Sequence, residues 1–219
     1  RDSSTSRGLG DVYKRQTLAA GNTYKLSGEY IVEEGGTLHI EEGVKIIAVY
    51  DDIADYILVK QGGKINAVGT PDKPIVMTSE KEEPGAWGGI HICGRAHTNA
   101  EGGKGSSEIG GAVYGGNDDA DNSGTLQYIR LEYTGFAFDE EHEANGISFY
   151  SVGNGTIVDH CQAYKGSDDG FEFFGGSVNV SNLVAVSCSD DSFDWTEGWN
   201  GKGTNLVAYQ EDKSTLGYD

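Results

Sequence analysis

A seven-residue stretch that returns in register constrains this chain more than any other feature. Ser167-Asp168-Asp169-Gly170-Phe171-Glu172-Phe173 recurs 22 residues later as Ser189-Asp190-Asp191-Ser192-Phe193-Asp194-Trp195. One repeat earlier, Asn145-Gly146-Ile147-Ser148-Phe149 fits the same frame at a spacing of 24. Between them stand Cys161-Gln162-Ala163-Tyr164, Leu183-Val184-Ala185-Val186 and Leu206-Val207-Ala208-Tyr209, at spacings of 22 and 23. A period in the low twenties, made of short alternating runs broken by Gly, Asn and Asp, is the signature of a solenoid. No helical stripe runs through it, so each turn consists of strands and corners. The expected fold is all-β: a right-handed parallel β-helix with coils of about 22–24 residues, its hand following from the rule for parallel crossovers.

Strand alternation then assigns the side chains to two sides. Ile147/Phe149, Phe171/Phe173 and Phe193/Trp195 form inward ladders, with Ser148, Glu172 and Asp194 outward. A second inward ladder joins Ile129, Cys161, Leu183 and Leu206, beside Leu131, Ala163, Ala185 and Ala208. Outward on that sheet are Arg130, Gln162, Val184 and Val207, then Glu132, Tyr164, Val186 and Tyr209. Each coil leaves apolar side chains unburied until its neighbour stacks on it, so the ladders make one continuous core.

Along the chain, residues 17–92 read as the first coils. Gly35-Gly36-Thr37-Leu38-His39-Ile40 is echoed 27 residues on by Gly62-Gly63-Lys64-Ile65. Residues 93–124, rich in Gly, Ser, Asn and Asp, break the period and read as a long loop insertion, functional or disordered. The coils resume at Thr125, with a smaller excursion over residues 138–143. The 34 glycines fit narrow corners that need positive φ. Arg1–Gln16 lacks alternation and carries four basic and two acidic residues; it resembles adapter-derived read-through and is set aside as non-native. The expected domain is thus 17–219, a β-helix truncated at both ends, with any export signal missing.

A net charge of −19 disfavours nucleic acid and anionic membranes as partners and favours cations or a neutral or basic partner. Three cysteines at unrelated positions of the repeat predict no disulfide framework. No apolar run is long enough to span a bilayer.

Trp87-Gly88-Gly89-Ile90, Tyr114-Gly115-Gly116-Asn117-Asp118 with Asn122-Ser123-Gly124, Asn145-Gly146-Ile147, and Asp168-Asp169-Gly170-Phe171-Glu172 with Gly175-Gly176 follow one another in order. In this series the chain resembles the exported bacterial β-helix proteins of the pectin-lyase-like superfamily, over roughly residues 24–219. The resemblance implies a right-handed β-helix that is secreted or carried on the outer cell surface. It implies no reaction.

Several constellations could carry chemistry. Coils stacked about 4.8 Å apart would place Asp168 over Asp190 and Asp169 over Asp191, with Glu172 and Asp194 on the following strand. Such hard oxygen ligands suit Ca²⁺; the alternative is corner chemistry, each Asp bonding its own turn. Asp119-Ala120-Asp121-Asn122-Ser123-Gly124 has oxygens at alternate positions and offers a second calcium candidate through Asp119 and Asp121. His91, Cys93 and His97 form a weaker zinc set with no fourth ligand. Cys161 reads as a small core residue.

Pectate lyases of the superfamily combine calcium carboxylates with an Arg or Lys base on an outer sheet, for which Arg130, Glu132 and Lys165 are the nearest equivalents. Glu172 and Asp194 could do acid/base work on a glycosidic bond, or form a solvated acidic stripe. Catalytic candidates are therefore Glu172, Asp194 and Arg130. For binding, the outward strip of Tyr164, Val186 and Tyr209, together with Trp199 and Glu172, suits sugar rings, unless the 93–124 loop folds over it. The expected role is a surface scaffold that binds polysaccharide or another cell-surface component. The alternative is a calcium-dependent polysaccharide lyase or glycoside hydrolase.

Overall fold

The computed structural model describes residues 15–51, 53–139 and 142–211. The segment set aside as non-native lies outside these residues up to position 14, and Gln16 opens the first strand.

The chain winds through successive three-strand coils. Coil one holds β1 (Gln16–Leu18), β2 (Thr23–Leu26) and β3 (Glu29–Val32). Coil two holds β4 (Thr37–Ile40), β5 (Lys45–Ala48) and β6 (Tyr56–Val59). Coil three holds β7 (Lys64–Val68), β8 (Ile75–Ser79) and β9 (Ile90–Cys93). An insertion follows, with a 3-10 turn at Glu101–Gly103 and a small antiparallel hairpin of β10 (Gly105–Ser106) and β11 (Val113–Tyr114). Coil four returns as β12 (Gly124–Glu132) and β13 (Ile147–Tyr150), and coil five as β14 (Ile157–Tyr164) and β15 (Phe171–Phe174). Coil six has β16 (Asn179–Ser181), β17 (Val184–Val186) and β18 (Phe193–Thr196); β19 (Gly203–Thr204) and β20 (Val207–Tyr209) begin a seventh.

Stacking the coils generates three parallel faces. The first runs β1-β4-β7-β12-β14-β16-β19. The second pairs β2-β5-β8-β12-β14-β17-β20, and the long strands β12 and β14 serve both faces. The third face is β3-β6-β9-β13-β15-β18. This is a parallel β-helix. Among the described residues, no helix is long and apolar enough to cross a membrane.

The register is the one the repeat predicts. Ile147 pairs with Phe171 and Phe171 with Phe193; Phe149 pairs with Phe173 and Phe173 with Trp195. The Phe171 and Phe193 rings stack at 5.5 Å and 8°, and Phe149 and Phe173 at 5.0 Å and 9°. Leu131, Ala163, Ala185 and Ala208 form one column, flanked outward by Glu132, Tyr164, Val186 and Tyr209. The inward columns merge into one core from Leu26 to Cys188. Trp195 and Leu206 keep their registered positions but are 62% and 39% exposed, because no described coil stacks on β18 or β20.

Two expectations change. The coil length is not constant: along the third face, partners are separated by 27 (Tyr30–Ile57), 33 (Ile57–Ile90), 57 (Ile90–Ile147), 24 and 22 residues. Strand pairing keeps its register while corners and the insertion absorb the extra chain, so the short period shows only in the last coils. Nor are the late corners a glycine device. Among the described residues, nine non-glycine residues have positive φ, and they fall in three columns: Tyr128, His160, Asn182, Asn205; Tyr133, Lys165, Ser187; and Ser151, Glu197, the last pair sharing a column with Gly175. Stacking offsets the strain of left-handed backbone. Tyr128 lies on His160 at 4.5 Å and Asn205 donates to Asn182 Oδ1 at 3.0 Å.

Candidate functional site

Alternation on the third face sends Leu58, His91, Ser148, Glu172 and Asp194 outward in one row. Cys93, Tyr150, Phe174 and Thr196 form the next outward row. An outward row is ordinarily wet, but the insertion folds onto this one. Ile109, Ala112 and Tyr114 pack against Tyr56, Leu58, Cys93, Tyr150 and Phe174 in a second core. Tyr114 meets the Tyr150 ring at 5.1 Å, and Tyr150 stacks on Phe174 at 4.4 Å.

Polar side chains fix this roof, which is poor in large apolar residues. Gln61 Nε2 donates to Gly94 O and Gly115 O, and Glu197 accepts from Tyr114 OH and Thr98 Oγ1. The insertion therefore covers the third face and leaves the Tyr164 strip of the second face open. Cys93 and Gly124, the ends of the expected loop, belong to strands β9 and β12.

Where the roof ends, carboxylates converge. Ligand oxygens of Asp168, Asp169 and Asp190 lie within 4.8 Å of one another, and so do those of Asp169, Glu172 and Asp194; Asp169 is shared. Corner chemistry operates in the same place: Asp191 N–H donates to Asp169 Oδ1 at 2.9 Å, and Gly170 N–H to Asp191 O at 2.9 Å. Asp191 thus contributes its backbone, and its exposed carboxylate is not one of the converging groups, which corrects the expected four-carboxylate set.

The cluster resists ionisation. Burial, with Glu143 and Asp190 nearby, pushes Asp168 up to about 7. Burial, with Asp168, Asp190 and Asp194 nearby, pushes Asp169 up to about 8 against the Asp191 N–H bond. Glu172 rises to about 10, from burial first and then from Glu108, Asp169 and Asp194, opposed by the Asn145 amide. Asn145 is buried; its Nδ2 donates to Glu172 Oε2 and to Ser148 Oγ, while its Oδ1 has no hydrogen-bond partner. Glu108, on the insertion, is itself raised by burial. Neither Glu108 nor the role of Asn145 was visible in the sequence, because both act across elements distant in the chain.

The other candidates part company. Asp119 Oδ1 accepts from the His97 N–H at 3.1 Å and faces its ring Nδ1 at 2.8 Å; Asp121 Oδ2 accepts from the Arg95 N–H at 2.9 Å. Both carboxylates are spent holding the loop, and they join no converging set among the described residues. His91 and Cys93 do share a face, but under the roof. His91 Nε2 meets Gly88 O at 2.7 Å, and burial holds the ring down at about 4; burial lifts the Cys93 thiol to about 12. His97 lies with Asp119 instead. Cys161 is a buried core residue, as expected.

On the second face, Arg130 Nε pairs with Glu132 Oε1 at 2.6 Å and its guanidinium stands 5.4 Å from the Tyr164 ring. Lys165 Nζ lies 5.2 Å from the same ring and pairs with Glu211 at 2.9 Å. Tyr209 is 58% exposed. Arg130 therefore stands on a different face from Glu172 and Asp194, and the three catalytic candidates form no single site. Trp199 is not a surface platform: it stacks on Phe173 at 4.5 Å and donates Nε1 to Val178 O at 3.1 Å, as a cap on the core.

A family model described as a pectate-lyase-like beta helix domain matches residues 10–219. No curated protein and no solved structure matches the chain.

Proposed function

The chain belongs to the pectate-lyase-like β-helix family, and on that premise we propose that it is a carbohydrate-binding scaffold acting outside the cytoplasm, with a calcium-assisted site at the third-face carboxylates. The observation that carries this reading is the pair of three-carboxylate groups sharing Asp169. Oxygens that share one calcium ion at bonds of about 2.4 Å stand no more than about 4.8 Å apart, and both groups fall inside that limit. The donor set is all oxygen, and the orphaned Asn145 Oδ1 adds a neutral oxygen on an amide that already touches Glu172. Asp169, with either Asp168 and Asp190 or Glu172 and Asp194, would hold the ion, which supplies positive charge for the carboxylates or vicinal hydroxyls of a sugar. The open strip of Tyr164 and Tyr209 offers a second, stacking surface.

Calorimetric titration with Ca²⁺ and affinity electrophoresis in gels of acidic polysaccharide test the reading. The expected results are binding that saturates with calcium, and retardation that is lost on adding EDTA or in Asp169→Asn. Retardation indifferent to both, or no calcium binding at millimolar concentration, overturns it.

A lyase or hydrolase activity is the second reading, favoured by the proton that Glu172 retains at neutral pH beside Asp194. Release of reducing ends from an acidic or neutral polysaccharide, abolished by Glu172→Gln, supports it. Retained binding with no cleavage of any substrate refutes it.

A further inference from the structure

The insertion is fastened to the far end of the solenoid through one histidine whose two ring nitrogens both face oxygen. His97 Nδ1 stands 2.8 Å from Asp119 Oδ1, and Nε2 stands 2.8 Å from Gly198 O, a residue 101 positions along the chain. A neutral imidazole carries one N–H and can donate to only one of these acceptors; the imidazolium donates to both. From this geometry we propose that His97 is a pH-sensitive clasp, which in its protonated form locks the insertion to the corner of coil six and slackens as the pH rises.

The charged surroundings agree. Asp119 faces the ring from the 117–122 loop, and its carboxyl is held below the usual range by His97. From the coil-six corner comes Glu197, whose carboxylate is occupied by Thr98 Oγ1 and Tyr114 OH. On the insertion arm, the Arg95 guanidinium turns away to Glu34 at 2.6 Å, and Asp121 is taken by the Arg95 N–H. Asp118 Oδ1 accepts from the Ala120 N–H. Acceptors therefore outnumber cations around the ring, and its pKa is raised, first by Gly198 O and then by Asp119. A histidine raised above its unfolded value stabilises the clasp fully below about 6.5, and that stabilisation is lost as the pH rises through the folded pKa.

The clasp lies beside other contacts that persist without the proton, so opening is local: Asn99 N–H donates to Glu197 O at 3.0 Å, and Gly176 N–H to His97 O at 2.8 Å. What it governs is the fastening of residues 97–119 of the insertion to the coil-six corner.

Two measurements on the whole chain decide the matter. The first is ¹⁵N NMR of the His97 ring in the unmodified protein, which needs no variant to fold. A pKa above that of an unstructured histidine, with both ring nitrogens protonated below it, is expected; a neutral ring at pH 6 overturns the proposal. The second is amide hydrogen exchange at residues 97–100 and 197–200, corrected for intrinsic rates. Protection should fall about tenfold for each unit by which the folded pKa exceeds the unfolded one, over the pH range between the two. In His97→Gln, whose amide NH2 and carbonyl keep the same donors and acceptor at every pH, the profile should be flat. Identical pH profiles for the two proteins also overturn the proposal. Neither measurement uses calcium or a saccharide, so either result is independent of the proposed function.

Discussion

Phe149, Phe173 and Trp195 occupy one column of the third face, and they offer a controlled test of stacking as the source of stability. Phe149 and Phe173 are 0% and 2% exposed, whereas Trp195 is 62% exposed. Replacing Phe149 by Ala removes a ring with neighbours on both sides, Ile92 and Phe173, and leaves a cavity between coils. A buried Phe→Ala change costs about 3–5 kcal/mol, and the lost ring stack at 5.0 Å accounts for about 0.5–1.5 kcal/mol of that. In a chain of this length each kcal/mol lowers Tm by about 2–4 °C, so Phe149→Ala should melt about 6–20 °C lower. Trp195→Ala alters the same column with a larger side chain, yet most of that surface is already wet, and its cost should stay below about 1 kcal/mol. Urea unfolding followed by circular dichroism and by tryptophan fluorescence measures both, and coincidence of the two probes tests whether the solenoid unfolds as one unit. If Trp195→Ala costs as much as Phe149→Ala, burial between coils is not what stabilises the ladder, and the reasoning fails.

Three further outcomes follow from the same structure. Asp168, Asp169 and Glu172 have folded pKa values of about 7, 8 and 10, all raised, so the folded chain keeps protons that the unfolded chain releases near pH 4. Stability should therefore fall as the pH climbs from 5 to 9, and Glu172→Gln should raise it at neutral pH by at least about 1.4 kcal/mol, the worth of one pKa unit; urea midpoints that rise with pH would contradict this. Gly124 sits at φ +119° with its missing Cβ directed at the Ile65 carbonyl, so Gly124→Ala should cost at least about 1–3 kcal/mol by urea unfolding. Burial lifts the Cys93, Cys161 and Cys188 thiols to about 12, 12 and 11, so none should react with iodoacetamide at pH 8 before the chain unfolds, as read by mass spectrometry.

The late coils were legible because stacking repeats a physical environment: the same position in each turn meets the same neighbours, and Ile147, Phe171 and Phe193 record this directly. The early coils were less so, since corners of unequal length hide a register that the strands keep. The left-handed corners were hidden too. Only His160, Asn182 and Asn205 are of residue types that favour such backbone, while Tyr128, Tyr133 and Lys165 give no local sign of it. In the site, the Asp and Glu residues were legible through the repeat. Their environment was not, because the roof that supplies Glu108 and buries His91 lies outside the repeat, within the 53 residues (94–146) that separate β9 from β13.

The carboxylate cluster is a consequence of the register itself. The pairing that lays Phe171 on Phe193 also brings Asp168 to Asp190, and the chain cannot separate the acids without shifting the rings. Two unit charges no more than 4.8 Å apart repel by at least about 3.5 kcal/mol at an effective dielectric of 20. The buried rings Phe149, Phe171 and Phe173 contribute about 3–5 kcal/mol each, and together they outweigh one such repulsion, so the ladder holds and the repulsion stays where it is. The strain must then be met at the site, by a proton below the raised pKa values or by a cation above them. Because protons and calcium compete for the same oxygens, calcium should raise Tm more at pH 8 than at pH 5, and a shift equal at both would place the ion elsewhere on this acidic surface.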